Sequence, residues 1–192
     1  MTFIVPTVGR PSLERALQSI HDQTDDDYEV VVVFDGHKPN MESADKRLWL
    51  LHTEKGNAGE TRNVGLDWFG SNGESEWVAF LDDDDYLLPT YVEHLRESAE
   101  DHPWADMVVS RMKHPVWGTL PLPGGELRRG LVGISFAIRS RLVMHGGLRF
   151  VKERVAERFH EDWEMISAVQ KTGKIYLSTH CDYMCREATP DE

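Results

Sequence analysis

Four consecutive aspartates, Asp82 to Asp85, are the strongest chemical signal in this 192-residue sequence. They follow an apolar segment, residues 76–81, that predicts a buried strand. Four carboxylates at a strand end repel one another unless cations compensate them. Hard divalent cations such as Mg²⁺ and Mn²⁺ prefer oxygen ligands and usually take one or two protein carboxylates together with substrate phosphates. The run therefore predicts a site where a cation links a diphosphate to this strand end. The structural alternative is an acidic loop that caps the next helix, with Asp85 near the N-terminus of that helix.

The elements that must position these aspartates follow an alternating α/β pattern. Apolar runs predict buried strands at residues 2–5, where Pro6 is expected to end the strand, and at residues 28–34, 48–52, 76–81 and 107–110. Apolar residues at helical spacing predict helices at about residues 13–20, 59–68 and 89–100. Parallel strands need such crossovers, which are right-handed. The chain therefore opens as a nucleotide-binding type of α/β unit.

The second half departs from this rhythm. Three prolines and three glycines between residues 115 and 125 predict an irregular loop beside the site. A strand is expected at 134–139, a helix at about 162–171 and a strand at 174–178. The length suits a single domain, residues 1–192. We expect about 1–110 to form the nucleotide-sugar-binding half and about 111–192 the acceptor-binding half.

Composition narrows the classes of partner. Acidic residues outnumber basic ones by 33 to 21, and the net charge of -12 disfavours sequence-independent binding to nucleic acid without excluding it. No apolar run reaches the 18 to 20 or so residues of a membrane span, so a cytoplasmic protein without a transmembrane segment is expected. The two cysteines, Cys181 and Cys185, have no second pair to complete a zinc site and predict free thiols.

Several motifs in order resemble the family 2 glycosyltransferases of the GT-A fold. The matching segments are a strand ending in Pro6 and Thr7, then Arg10 and Pro11, LERALQSIHDQT, EVVVVFDG, GNAGETRNVGL, FLDDDDYLLP, GGL and HEDWEM. They cover most of the chain, and several ordered matches are more specific than any single motif. The resemblance implies a Rossmann-like nucleotide-diphospho-sugar transferase fold, with a mostly parallel central sheet. It also implies transfer of a sugar from a nucleotide diphosphate donor, UDP-sugar being favoured, to an acceptor that the sequence does not identify.

On the donor side, the resemblance assigns the base and ribose to the backbone and side chains of Pro6, Thr7 and Val8. It places Asp35 against the base, while the structural alternative is a turn formed with Gly36. Arg62 would pair with phosphate or base oxygens, and its alternative is a surface salt bridge.

The aspartate run resembles the DxD motif of the family. Asp82 or Asp83 would reach the ribose, and Asp84 would hold a divalent metal, Mn²⁺ or Mg²⁺. Because four aspartates contain two overlapping triplets, the register of the motif stays open. His180 would be a further metal ligand, and its alternative is a structural histidine.

On the acceptor side, Glu161 and Asp162 match the acidic pair at a helix start. Asp162 would be the general base of an inverting transfer, with helix capping as the alternative. His160 would orient the acceptor, and Trp163 or Trp117 would stack on a sugar, whereas Trp104 is expected to pack in the core.

Two other functions compete with this interpretation. A nucleotidyltransferase of related fold would also use an acidic metal site, but it needs two metals or a glycine-rich phosphate loop near the N-terminus. Residues 8–11 lack that richness. A non-catalytic nucleotide-sugar-binding module is the second alternative, and the presence of both acidic motifs argues against it.

Overall fold

The apolar runs of the first half form the adjacent strands of a large sheet in the computed structural model, which describes residues 1–38, 44–122, 124–151 and 161–186. The strands in chain order are β1 (Thr2–Thr7), β2 (Glu29–Asp35), β3 (Leu48–Thr53), β4 (Trp77–Phe80), β5 (Tyr86–Leu87), β6 (Met107–Val109), β7 (Met112–His114), β8 (Gly118–Leu120), β9 (Phe136–Arg139), β10 (Ile175–Leu177) and β11 (Tyr183–Met184). The helices are α1 (Leu13–His21), α2 (Ala58–Asn72), α3 (Tyr91–Asp101), α4 (Ser140–Met144) and α5 (Glu161–Thr172).

The central sheet has seven strands in the order β10-β6-β9-β4-β1-β2-β3. Strand β9 runs antiparallel to β4 and β6, and the other pairs are parallel. The expected α/β fold with a mostly parallel sheet is confirmed. Because β1, β2 and β4 are parallel neighbours, their carboxyl ends meet at one edge of the sheet, where such folds bind ligands.

Strand β1 continues through Pro6 to Thr7, so the prediction that Pro6 ends the strand is wrong. Pro6 pairs with Val33 of β2. On the other side of β1, the ladder with β4 ends where the Leu81 amide donates to the Ile4 carbonyl at 3.2 Å. The backbone nitrogen of Pro6, two residues after Ile4, points to the same side as the Ile4 carbonyl, where the ladder with β4 has already ended. The missing N–H of Pro6 therefore costs no ladder bond. The strand consequently delivers Thr7 to the edge of the sheet.

Residues 118–120 of the irregular loop expected at 115–125 form strand β8, which belongs to a second sheet. This sheet has four strands in the order β5-β11-β7-β8, and β7 and β8 form an antiparallel hairpin. Gly118 begins β8 with φ 71°, a conformation that glycine adopts without steric cost. Strands of two or three residues are too short to show alternation, which is why the sequence did not predict this sheet.

Helix α2 packs closely on β1. A Cβ on Gly65 would lie 2.6 Å from Ile4 Cγ2, so only glycine allows this approach. Asn63 forms two hydrogen bonds with the Phe150 backbone, at 2.8 and 2.9 Å. These contacts place the first turns of α2 above the carboxyl end of β1. Among the described residues, no helix has the length and apolarity needed to cross a membrane.

Candidate functional site

One cleft of about 790 Å³ opens at the carboxyl ends of β1, β2 and β4 and is bordered by the first turns of α2 and α5. Nearly all of the residues that the sequence assigned to donor, metal and base line this cleft, although they are far apart in the chain. They are Pro6, Thr7, Val8, Asp35, Arg62, Asp82, Asp83, Asp84, Glu161 and Asp162.

Asp83 has both of its carboxylate oxygens engaged by side chains near the end of β1. Thr7 Oγ1 donates to Oδ2 and Arg10 Nη1 donates to Oδ1, each at 2.7 Å. The residue is only 3% exposed. Asp83 therefore ties the end of β1 to the loop after β4, and its contact with a ribose stays a prediction.

The other three aspartates, Asp82, Asp84 and Asp85, converge. Each offers a carboxylate oxygen that lies within 4.8 Å of the other two. The Asp85 amide donates to the Asp82 carbonyl at 3.1 Å, and this tight turn directs the carboxylates toward one point. This group could hold a divalent cation.

Electrostatics supports a cation at this point. Burial, followed by the negative charge of Asp82, raises the pKa of Asp85 to about 7. Burial, followed by the charge of Asp82, likewise raises the pKa of Asp84. Arg10 and Arg186 approach Asp84 Oδ2 at 3.3 and 3.5 Å and compensate only part of this charge. The three carboxylates therefore fit a hard divalent ion, which would relieve their repulsion.

Strand β11 supports the aspartates from the second sheet. The fully buried Tyr183 hydroxyl accepts from the Asp82 amide at 3.3 Å and hydrogen-bonds the Asp85 carboxylate. Burial raises the pKa of Tyr183 well above its usual value, so this hydroxyl stays protonated. The Arg186 amide donates to Asp85 Oδ1 at 2.7 Å. Sequence reasoning missed both residues because β11 has no pattern of its own.

Arg62 is a buried cation among three carboxylates, with 2% of its side chain exposed. Nη2 donates to Asp82 Oδ1, and Nη1 lies 3.4 Å from Glu161 Oε1 and 3.8 Å from Asp162 Oδ1. Burial lowers the pKa of Arg62, but the carboxylates of Asp82, Asp162 and Glu161 outweigh it and raise the pKa above its ordinary value. Arg62 therefore stays charged, and its contact with donor phosphate or base stays a prediction.

Asp162 lies in the first turn of α5 and faces the cleft. Its pKa is raised to about 7, mainly by burial; Arg62 opposes this shift, whereas Asp82 and Glu161 add to it. Its Oδ1 atom is buried and has no hydrogen-bond partner within the described part of the chain. A carboxylate that titrates near neutrality with a free oxygen is suited to accept a proton.

Asp35, at the end of β2, organises the loop before α2. Its carboxylate accepts from the Lys55 amide and the Gly56 amide at 2.8 Å, and from Thr61 Oγ1 at 2.8 Å. Gly56 has φ 77°, a left-handed conformation that suits glycine. Asp35 thus shapes one wall of the cleft, and its contact with a base stays a prediction.

Trp117 is 63% exposed and lines the cleft from the hairpin of β7 and β8. Its ring stacks on His114, with centroids 4.3 Å apart and planes at 17°. The amides of Val116 and Trp117 donate to His114 Nδ1 at 3.1 and 3.3 Å. His114 therefore orients an exposed aromatic surface beside the cleft.

Three other residues singled out from the sequence do not line the cleft, and a fourth lies outside the described residues. His180 belongs to a different cluster, with His94 and Asp182, and its role toward the metal of the cleft stays a prediction. Trp163 packs against the core while partly exposed. The expectation that Trp104 is a core residue is wrong, because it is 45% exposed and packs in T-shaped contacts with His102 and Tyr176. His160 lies outside the described residues.

Comparison with known proteins places this chain in a family. The family model described as Glycosyl transferase family 2 matches residues 2–133. A putative glycosyltransferase EpsH of Bacillus subtilis is 30% identical over 104 residues, 50% of this chain and 28% of its own length. The GalNAc(5)-diNAcBac-PP-undecaprenol beta-1,3-glucosyltransferase of Campylobacter jejuni is 32% identical over 111 residues, 53% of this chain and 35% of its own length. These matches therefore span about a third of each of these two relatives.

Solved structures agree on the fold. The crystal structure of S. aureus TarS 1-349 in complex with UDP-GlcNAc superposes with a TM-score of 0.75 and 21% identity. The match covers 99% of this chain and 59% of that one. The complex of the same protein with UDP gives a TM-score of 0.72, also at 21% identity, and covers 98% of this chain and 60% of that one.

Proposed function

The chain belongs to glycosyl transferase family 2, and from that premise we propose that it transfers a sugar from a nucleotide diphosphate donor, a UDP-sugar, to an acceptor hydroxyl. One observation carries the proposal. The same cleft holds a convergent group of carboxylates suited to a metal–diphosphate and a carboxylate, Asp162, that titrates near neutrality. The TarS crystals with UDP and UDP-GlcNAc support UDP as the nucleotide.

We assign a divalent ion, Mn²⁺ or Mg²⁺, to Asp84, with Asp82 and Asp85 as the neighbouring carboxylates. When bound, the ion would neutralise the charge that gathers on the departing diphosphate. Asp83 has both oxygens engaged by Thr7 and Arg10, so its part is to hold the strand ends in place. The base and ribose are assigned to the cleft wall formed by Pro6, Thr7, Val8 and Asp35.

Asp162 is assigned the role of general base. The acceptor oxygen attacks the anomeric carbon, the bond from that carbon to the diphosphate oxygen breaks, and the hydroxyl proton passes to the Asp162 carboxylate. The bond pair leaves with the diphosphate, and a single displacement of this kind inverts the anomeric configuration. Arg62 acts as a positioning residue, since its guanidinium lies between Asp82 and the acidic pair of α5.

We further propose that the chain works as one domain with two halves. Residues of about 1–110 bind the nucleotide-sugar and those of about 111–192 shape the acceptor site. The segment from His114 to Gly130 is assigned to acceptor specificity because Trp117 and Gly130 both line the cleft. The acceptor then approaches over the Trp117 ring, which is exposed on the same side as Asp162.

Calorimetric titration with UDP and then GDP, each with and without Mn²⁺, tests the donor site. Wild type is compared with Asp84→Ala and with Asp101→Ala, a matched control because Asp101 is an exposed carboxylate at the end of α3. We expect Mn²⁺-dependent UDP binding that Asp84→Ala abolishes and Asp101→Ala retains. If neither nucleotide bound under any condition, the proposed activity would be wrong; if Asp84→Ala bound normally, the metal assignment would be wrong.

A further inference from the structure

A second group of metal-ligating side chains lies between α3 and the residues that lead into β11. It consists of His94, His180 and Asp182, whose candidate ligand atoms all lie within 4.8 Å of one another. His94 Nδ1 is 2.7 Å from Asp182 Oδ2. The rings of His94 and His180 stack with centroids 3.8 Å apart and planes at 17°. None of the three residues lines the cleft described above.

We propose that this cluster is a second metal site, which binds Zn²⁺ through two imidazole nitrogens and one carboxylate oxygen. The donor set favours this ion over Mg²⁺ or Mn²⁺. Imidazole nitrogens suit Zn²⁺, whereas the all-oxygen group of Asp82, Asp84 and Asp85 suits Mg²⁺ or Mn²⁺. The protein would therefore hold two metals of different chemistry at two places.

The pair formed by His94 and Asp182 needs only a small adjustment to accept the ion. Zinc would take the place of the proton between His94 Nδ1 and Asp182 Oδ2. Tetrahedral zinc with ligands at about 2.0–2.1 Å spaces its ligand atoms about 3.3 Å apart, so this pair would open by roughly 0.6 Å. The His180 ring lies beside the pair and would rotate out of its parallel stack with His94 to aim a nitrogen at the ion. Water would complete the coordination because both histidines are partly exposed.

The carboxylate ligand is already held in place. Asp182 is 5% exposed, and its Oδ1 accepts from Thr90 Oγ1 at 3.0 Å. Thr90 occupies the N-cap position of α3, yet its side chain makes no capping bond. Its hydroxyl is instead bonded to Asp182, an arrangement typical of residues that orient a metal ligand.

The backbone at the ligands is also anchored. The Leu88 amide donates to the Asp182 carbonyl at 2.8 Å, and the Arg111 amide donates to the His180 carbonyl at 3.0 Å. A zinc ion would join α3 to the start of β11, the strand whose Tyr183 contacts the aspartate cluster. A bound zinc ion would thus stabilise the position of β11, which supports the aspartates of the cleft, without touching substrate.

Zinc titration of metal-free, tag-free protein tests the site. Zn²⁺ binding is followed by calorimetry, and Co²⁺ is used in its place to read coordination from visible absorption. The test variants are His180→Ala, Asp182→Asn and Thr90→Val. His145→Ala is the control at an exposed histidine, and Asp84→Asn removes one carboxylate of the aspartate cluster in the cleft. Circular dichroism in EDTA establishes that each variant is folded.

We expect one zinc equivalent that His145→Ala and Asp84→Asn retain and that His180→Ala and Asp182→Asn lose. Thr90→Val should weaken zinc by about 10- to 100-fold, as expected for loss of a group that orients a ligand. Zinc should raise the Tm of wild type and leave that of His180→Ala unchanged. Because Thr90→Val preserves all three ligands, it tests the site even if a ligand variant does not fold.

The proposal would be overturned if Thr90→Val and the folded ligand variants bound zinc as wild type does. Loss of the zinc equivalent in Asp84→Asn alone would also overturn it, because the metal would then belong to the aspartates. The proposal would also be overturned if bound Co²⁺ gave only the weak visible absorption of a six-coordinate ion. Each result leaves the donor-site proposal untouched, since that proposal is tested by UDP binding.

Discussion

The guanidinium of Arg62 lies buried beside the carboxylate of Asp162, with Nη1 3.8 Å from Oδ1. The same guanidinium bonds Asp82, so a single cation joins the aspartate run to the start of α5. Its positive charge opposes the effect of burial on Asp162 and prevents the pKa from rising further above about 7. Arg62 therefore keeps Asp162 able to ionise at neutral pH, which a general base requires.

Replacing Asp162 by asparagine keeps the shape of the side chain and removes the base. We expect Asp162→Asn to lower kcat by about 10²- to 10⁴-fold, the usual contribution of general base catalysis, while the Kd for UDP with Mn²⁺ changes little. Initial rates with a UDP-sugar and calorimetry measure the two quantities. Glu164→Gln, at an exposed position in the same turn, serves as control. Normal turnover in Asp162→Asn would remove this residue from the mechanism.

The rate should depend on pH through the same carboxyl group. Because burial raises the pKa of Asp162 to about 7, the protonated and inactive form dominates below that pH. We expect kcat to rise with pH through about 7 and to level off above it. Single-turnover rates measured over a range of pH test this rise, which should be absent in Asp162→Asn. If the rate of the variant rose with pH as that of wild type does, the titration would belong to another group.

Removing the buried cation should destabilise the fold in a pH-dependent manner. Arg62→Gln leaves Asp82, Glu161 and Asp162 uncompensated, and breaking a buried ion pair costs about 3–5 kcal/mol. The cost should be larger at pH 8 than at pH 6. At pH 6 Asp162 is largely protonated and gains little from Arg62, whereas at pH 8 wild type stabilises the ionised carboxylate through Arg62 and the variant does not.

Urea unfolding at the two pH values measures the free energy of unfolding of Arg62→Gln against wild type. Arg128→Gln breaks an exposed pair with Glu126 and should cost about 1 kcal/mol or less. Equal losses in the two variants would contradict the role of Arg62 as the buried counter-ion.

Trp117 and Trp104 form a matched pair of exposed tryptophans, of which only Trp117 lines the cleft. We expect Trp117→Ala to raise the KM for acceptor severalfold and to leave UDP binding unchanged, because an aromatic face packs on the apolar side of a sugar. Trp104→Ala should change neither quantity. Steady-state kinetics with varied acceptor measures the effect, and equal kinetics for both variants would exclude the Trp117 surface from acceptor binding.

The sequence by itself determined the fold class and the positions where chemistry is concentrated. Runs such as VVVVF and WVAF are apolar throughout, which is typical of strands covered on both faces, and the intervening helical spacing requires a parallel sheet. Parallel strands bring their carboxyl ends together, so Asp35 and the aspartates after β4 could be assigned to one edge without coordinates. These inferences depend on local patterns that are long enough to be distinctive.

Only the tertiary structure decided how the individual side chains are used. Asp83 could not be distinguished from its neighbours until Thr7, 76 residues away, was found bonded to it. Arg62 and Glu161 meet across 99 residues, and the support from Tyr183 comes from a two-residue strand with no detectable pattern. Such contacts depend on long-range packing and on the electrostatics of burial. A single sequence encodes both, but it does not display them as any local pattern of residues.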